Sequence, residues 1–347
     1  MNTDKNIGVN MEMYQELEKR FNSEVKQMKD ISQYYSIMNS PSRSKANIGF
    51  LKTNNRAENI VTCNPQLRSN LEYRDVINYS TSNYLGLGQN KQVKKDIIDA
   101  LEKYGSGANG SPILSGYYTV HTELEQALSD FHGYEDTLLT SSGFVANFML
   151  LTSLFSKGDT VFLEAHTHGS IVMGARLSGA NVKIYSENNT TDLDRIVSKC
   201  SSKKKLIITC GVFSMSGKIS NLPEITKIAK KYQCLLAVDD AHGLGVIGRN
   251  GRGTTEFHGL SAQDVDIHIG TLSKSLSASG GYISAKKTVI KYLRLKGMPY
   301  ILSASLPPMV VAGALSALTI LTQEGEKLTD NLRDKITFFK SKLAKAG

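Results

Sequence analysis

Leu235–Gly253 reads LLAVDDAHGLGVIGRNGRG, and Val265–Tyr282 reads VDIHIGTLSKSLSASGGY. In both stretches a short apolar run of strand length passes directly into a cluster of polar and small residues. The same pattern repeats outward from them. TLLTSSG leads into FVANFMLLTSLF (Thr137–Phe155), DTVFLEA into SIVMGARLSG (Asp159–Gly179), and KLIITCGVF into LPEITKIAKKY (Lys205–Tyr232), with GGYISAKK (Gly280–Lys287) at the end. Strands that alternate with helices require crossover connections, so the chain predicts an α/β fold with a mostly parallel sheet covered by helices on both faces. In such sheets ligands sit at the carboxyl ends of the strands, and each of the polar clusters lies there.

The flanks read differently. Met13, Leu17, Phe21, Val25, Met28, Ile31 and Tyr35 recur at steps of three and four and predict one apolar stripe on an N-terminal helix. Ser40 to Arg74 is polar and aperiodic, with Pro41 and Pro65, and reads as a connecting segment. The expected division is an N-terminal helix and connector over 1–75, a large domain over 76–307, and the start of a C-terminal domain over 308–347. A long helical pattern begins near Pro308, and no strand follows it. A helix of that length cannot bury its apolar face alone, so a further layer is expected and the C-terminal small domain is expected to be largely absent.

Composition narrows the function classes. With 40% hydrophobic and 21% charged residues over 347 positions, the chain is an ordinary globular one with enough length for a large core. Its four cysteines, Cys63, Cys200, Cys210 and Cys234, form no metal-ligand spacing with the seven histidines, so free thiols and no metal are expected. The polar start MNTDKNIGVN and the lack of a long apolar run point to a cytoplasmic protein without a membrane span. The formal charge of +9 is spread along the chain except at Lys203–Lys205, which precedes an apolar strand and reads as a solvated loop, not a nucleic-acid patch. Excess positive charge also suits an anionic substrate, such as a coenzyme A thioester or an acidic carrier protein.

Three clusters carry chemistry. Lys274 stands among small and hydroxyl residues just past an apolar run, where a bulky group has room on its amine; a plain loop lysine is the alternative. Asp239, Asp240 and His242 follow a buried strand, and an acid there is costly without a positive partner. A pyridinium nitrogen is such a partner, and a metal pair or hydrolytic pair lacks its further residues. Ser142 and Gly143 stand at a strand-to-helix junction, where free backbone N–H groups suit a phosphate, although caps alone often look the same. Lysine, acid, histidine and phosphate site together describe a phosphorylated aldehyde cofactor, pyridoxal 5′-phosphate (PLP).

These residues sit within NYSTSNYLGLG, GSGANGSPILSGYYTVHTELE, SSGFVANF, HTHGSIVMGARLSGA, GVFSMSGKISNLPEI, VDDAHGLGVIGRNGRG, GTLSKSLSASGGY and LSASLPP, which run from Asn78 to Pro308. The series resembles the α-oxoamine synthases, PLP enzymes of the aspartate-aminotransferase fold (fold type I). The family includes 8-amino-7-oxononanoate synthase, 2-amino-3-ketobutyrate CoA ligase, 5-aminolevulinate synthase and serine palmitoyltransferase. The resemblance implies that Lys274 holds the cofactor as a Schiff base and later removes the α proton, and that Asp239 pairs with the pyridine nitrogen. It implies that His168 stacks on the ring, that His242 and Ser214 lie by the 3′ oxygen, and that Gly143, Phe144 and Thr271 hold the phosphate. It further implies a homodimer with LSASLPP near the partner's phosphate, and a reaction that joins a small amino acid to an acyl-CoA or acyl carrier protein thioester with loss of carboxylate.

The chain departs from the family pattern at several positions. Ser82 and Asn83 replace an Asn-Asp pair, as in the serine palmitoyltransferase branch. Pro112 stands for arginine, Cys210 for glutamate, Ser216 for an acid and Ala304 for a hydroxyl residue beside Ser303. The family's C-terminal domain, which supplies an arginine for the amino-acid carboxylate, would start near Thr337 and is expected to be mostly absent. Two other readings stay open: another fold-type-I reaction, such as an aldolase or aminotransferase, and a PLP-binding partner subunit without turnover.

Overall fold

The computed structural model describes Lys19, three strands before Ser80, and residues 81–346. The chain divides into two compact units, Met1–Ser80 and Thr81–Gly347. In the first unit, β1 (Ile37–Met38), β2 (Lys45–Leu51) and β3 (Leu71–Ile77) form an antiparallel sheet in that order, with Lys45 opposite Ile77 and Leu51 opposite Leu71. The expectation of an irregular connector over Ser40–Arg74 is thus corrected. Pairing between residues far apart in the chain supplies hydrogen bonds that local periodicity does not display. The expected N-terminal apolar stripe falls outside the described residues.

The second unit opens with α1 (Lys91–Tyr104) and α2 (Thr119–His132) and then alternates strand and helix. β4 (Asp136–Thr140) leads to α3 (Gly143–Leu154), β5 (Thr160–Glu164) to α4 (Gly169–Leu177), β6 (Asn181–Tyr185) to α5 (Thr190–Val197), and β7 (Lys205–Cys210) to α6 (Leu222–Lys231). β8 (Leu235–Asp239), the short α7 (Thr254–Phe257), β9 (Ile267–Thr271) and β10 (Gly281–Ala285) complete the sheet. α8 (Lys287–Lys296), α9 (Met298–Leu302) and α10 (Pro308–Ala346) follow, and α10 is broken by the non-helical backbone of Glu324.

The sheet order is β4-β10-β9-β8-β7-β5-β6. β10 runs antiparallel to both its neighbours, and all the other pairs are parallel. Helices follow the parallel strands because a crossover must return the chain to the starting edge. The apolar runs are buried on both faces, as such a sheet demands. Along β7, Leu206, Ile208 and Cys210 join the core beneath α3 and α4, while Ile207 joins the opposite core with Leu222 and Ile225 of α6. A period of two along each strand therefore selects which polar residue at its end faces α3 and α4.

Candidate active site

Register brings the site together. Cys210 pairs with Asp239 across β7 and β8, and Asp239 with Ile269 across β8 and β9, so β7 and β8 end at one level and β9 runs on to Thr271. Asp239 shares the α3/α4 face with Ala237, and Asp240 points the other way. Asp240 is fully buried and accepts from Thr254 N–H at 2.7 Å and Thr254 Oγ1 at 2.6 Å. Gly243 and Gly253 lie so close that a Cβ on either would come within 2.0 Å and 1.9 Å of its carboxylate. Burial pushes the Asp240 carboxyl up to about 6 against those hydrogen bonds. Asp240 anchors the loop after β8, and Asp239 faces the site.

Lys274 follows β9 on a tight turn closed by Ser277 N–H to Lys274 O at 2.9 Å and Ala278 N–H to Leu272 O at 2.9 Å. Its hydroxyl neighbours do more than leave space: Ser275 Oγ donates to Leu244 O at 2.6 Å and Ser277 Oγ to Asn83 Oδ1 at 2.6 Å, which pins the turn to two other loops. Burial lowers the Lys274 ammonium from its ordinary range, opposed by Asp239 and Cys210. A depressed lysine holds more free amine, the form that attacks a carbonyl. Burial, with Lys274 nearby, brings the His242 imidazole down to about 4, and Asp239 opposes the shift. His242 is therefore neutral at pH 7 and shares a hydrogen bond of 2.8 Å between its Nδ1 and Tyr84 Oη.

On the facing side, His168 caps α4, its Nδ1 accepting from Ser170 N–H at 3.3 Å and lying 2.7 Å from Ser170 Oγ. The thiol of Cys210 is buried beside the His168 backbone, and burial together with Asp239 raises it. Ser142 caps α3 by accepting from Val145 N–H at 3.1 Å, and Ser142 O takes Ala146 N–H at 3.0 Å. The N–H groups of Gly143 and Phe144 remain at the helix start, where the helix dipole favours an anion. Glycine is required here: a Cβ on Gly281 would lie 2.4 Å from Gly143 N, and one on Gly143 would lie 3.1 Å from Thr271 Cβ. Thr271 stands against this helix start, with its hydroxyl tied to Gly280 O at 3.0 Å and to Ser273 Oγ at 2.8 Å. Ser214 is exposed on the turn after β7, and among the described residues no hydrogen bond joins it to the others.

The residues fit PLP on structural grounds. Asp239 is 6% exposed and, among the described residues, has no cationic side chain within ion-pair distance. A buried carboxylate so placed suits a pyridinium nitrogen. The unused N–H groups of α3 suit the phosphate, and the amine of Lys274 suits the aldehyde.

Fold and site thus define a PLP-dependent enzyme of fold type I. The family model for aminotransferase class I and II matches residues 74–347. The 8-amino-7-oxononanoate synthase of Thermoanaerobacter pseudethanolicus is 42% identical over 282 residues, covering 81% of this chain and 71% of that protein. 8-Amino-7-oxononanoate synthase 1 of Bacillus subtilis is 38% identical over 310 residues, covering 87% and 78%. Among solved structures, the serine palmitoyltransferase of Sphingomonas wittichii superposes with a TM-score of 0.75 at 33% identity, over 90% of this chain and 72% of that one. The 8-amino-7-oxononanoate synthase of Francisella tularensis gives a TM-score of 0.66 at 31% identity, over 77% and 75%. The chain belongs to the aminotransferase class I and II family and, within it, to the PLP-dependent α-oxoamine synthases.

Sequence reasoning passed over Tyr84 and Asn147. Asn147 donates from Nδ2 to Asp239 Oδ2 at 2.7 Å and to Ser170 Oγ at 3.1 Å. A signal existed for it: it is the one polar side chain in the run GFVANFMLL that opens the helix. At the departures from the family pattern, Ser216 Oγ donates to Glu187 Oε1 at 2.9 Å, beside Lys218, and so brings a carboxylate to the turn after β7. Pro112 lines a small cavity with Tyr117, His121 and Ser303–Leu306. Lys204 of the basic run packs over the Phe155 ring and pairs with Asp159 at 3.7 Å. Among the described residues, no helix is long and apolar enough to cross a membrane.

Proposed function

We propose that the enzyme condenses a small amino acid (glycine, alanine or serine) with an acyl thioester carried on coenzyme A or an acyl carrier protein. The products are an α-amino ketone, carbon dioxide and the free thiol. The observation that carries this reading is the meeting of Lys274, Asp239, His242 and His168 beside the free N–H groups of α3. PLP, when bound, supplies a ring that accepts the electron pair left on the amino-acid α carbon.

The chain's own groups do the rest. The amine of Lys274 would hold the aldehyde and would serve as the base for the α proton. Asp239 would keep a proton on the pyridine nitrogen, and His168 would cover one ring face. Neutral His242, steadied by Tyr84, and Ser214 would serve the 3′ oxygen. Ser142, Gly143, Phe144 and Thr271 would receive the phosphate. Ser303 and Ala304 are exposed, as are Ile113 and Leu114, and this surface suits a second copy of the chain in a homodimer. A strictly monomeric species that keeps PLP at micromolar concentration overturns the dimer.

Purified protein incubated with PLP, a panel of small amino acids and a panel of acyl thioesters tests the reaction. Release of free thiol and carbon dioxide in equal amounts is the expected result. An amino acid that exchanges its α proton while no donor releases thiol would point to an aldolase or aminotransferase reaction, and the acyl-transfer reading would fall.

A further inference from the structure

We propose that Asn147 is a positioning residue that couples the group behind the cofactor ring to the group on its face, by holding Asp239 and His168 through a single amide. The inference rests on the assignment of Asp239 to the pyridine nitrogen and of His168 to the ring face.

The argument begins with donors. An asparagine amide has two N–H donors, and both of them are used: one goes to Asp239 Oδ2 at 2.7 Å and the other to Ser170 Oγ at 3.1 Å. Ser170 in turn contacts His168 Nδ1 through its hydroxyl at 2.7 Å and its N–H at 3.3 Å. Because Nδ1 accepts from that N–H, the hydroxyl also donates to it, and every proton in the series points from Asn147 toward His168. This leaves the His168 proton on Nε2. The amide cannot be reversed, since its carbonyl would then oppose the Asp239 carboxylate.

Asn147 is 2% exposed, and among the described residues its Oδ1 accepts no hydrogen bond. Both donors of the buried amide are aimed at protein groups while its acceptor is not, which matches the amide to those two targets. Asp239 Oδ1 accepts from Ala241 N–H at 3.1 Å, so its two oxygens are fixed by two different elements, the loop after β8 and the helix α3. Charge-assisted donors of this kind set both the direction and the strength of a carboxylate as a partner.

The test uses the enzyme loaded with PLP carrying a nitrogen-15 label in its ring, so that the chemical shift of the pyridine nitrogen reports its protonation directly. Asn147→Leu removes both donors at nearly constant volume. It is expected to move the nitrogen shift toward the unprotonated value. It is expected to slow α-proton exchange of a bound amino acid about tenfold, the scale of one charge-assisted hydrogen bond. PLP affinity is expected to change less than threefold, since the phosphate contacts lie elsewhere. Ser170→Ala cuts only the second arm, and should alter the circular dichroism of the cofactor band while leaving the nitrogen shift in place. Asn147→His, which keeps one donor, is expected to restore part of the shift. If Asn147→Leu does not fold, Asn147→Ser serves in its place. Unchanged nitrogen shift and exchange in the Asn147 variants, with both altered in Asp239→Asn, overturns the proposal. No change in Asp239→Asn overturns instead the assignment of Asp239 on which it rests.

Discussion

Arg294 on α8 is the cation for a carboxylate that has almost no water. Glu125 of α2 is 4% exposed and takes the Arg294 guanidinium at 2.7 Å, the Leu139 N–H at 2.9 Å and the Tyr117 hydroxyl. The same guanidinium donates to Asp136 at 2.8 Å and to Thr137 O at 2.9 Å, so it binds α2 and α8 to β4, the strand that feeds the Ser142 helix start. Arg294→Met keeps the aliphatic stem and removes the charge. Glu125 is then left with two neutral donors, and breaking a buried pair from one side costs about 3–5 kcal/mol. Burial already raises the Glu125 carboxyl above 4.5 despite Arg294, and loss of the arginine raises it further. A folded-state value above the unfolded one means that the folded variant takes up a proton where the unfolded chain does not. Its stability is fully present at low pH and is lost as pH rises through the raised value. The deficit relative to wild type is therefore largest near pH 8 and shrinks toward pH 5.5, as read by urea unfolding at the two values. Adding Glu125→Gln to Arg294→Met should recover at least half of the loss at pH 8, because no charge is then stranded. A deficit below about 1 kcal/mol, or one equal at both pH values, would show that Glu125 does not depend on Arg294 in this way.

Lys274→Ala should abolish the visible absorbance that borohydride fixes onto the protein; a variant that keeps that absorbance after dialysis would remove Lys274 from its role. Asp239→Asn should still bind PLP through the start of α3 but slow α-proton exchange in deuterated water on the order of a thousandfold, and exchange at the wild-type rate would end the assignment. Burial holds the imidazoles of His268 and His242 down to about 3 and about 4 and that of His132 well below its ordinary value, with the His132 and His268 rings 4.0 Å apart. Depressed folded-state values place the stability above the ordinary histidine range and lose it as pH falls from about 6.5, because the unfolded chain takes the protons first. The unfolding free energy of the PLP-free protein, from urea titrations, should therefore drop between pH 7 and pH 5, with a slope near pH 5 smaller by up to about 1.4 kcal/mol per pH unit in His268→Phe; an unchanged slope would contradict this.

The alternation of strand and helix from Thr137 to Ala285 was legible because a two-sided sheet demands continuous apolar runs, and such runs stand out against turns rich in glycine and serine. The small sheet β1-β2-β3 was not legible, since its pairing joins residues as far apart as Lys45 and Ile77 through backbone groups that every sequence carries. The position of Lys274 could be read from its small neighbours, but the anchoring of its turn by Ser275 and Ser277 depends on loops remote in sequence.

What the sequence determined by itself is the class of chemistry: a lysine, an acid and a helix start placed after apolar runs that can only be buried strands. The resemblance implied Asp239 and not Asp240, and the tertiary structure supplies the geometry behind that choice. Alternation along β8 turns one toward α3 and α4 and the other into the glycine-lined seat beside Thr254. The structure also decided that Asn147, in a helix whose sequence reads as plain core, bridges Asp239 and the Ser170–His168 cap. A strand's period says that neighbours face apart; which face meets the helices is set by packing between segments distant in the chain.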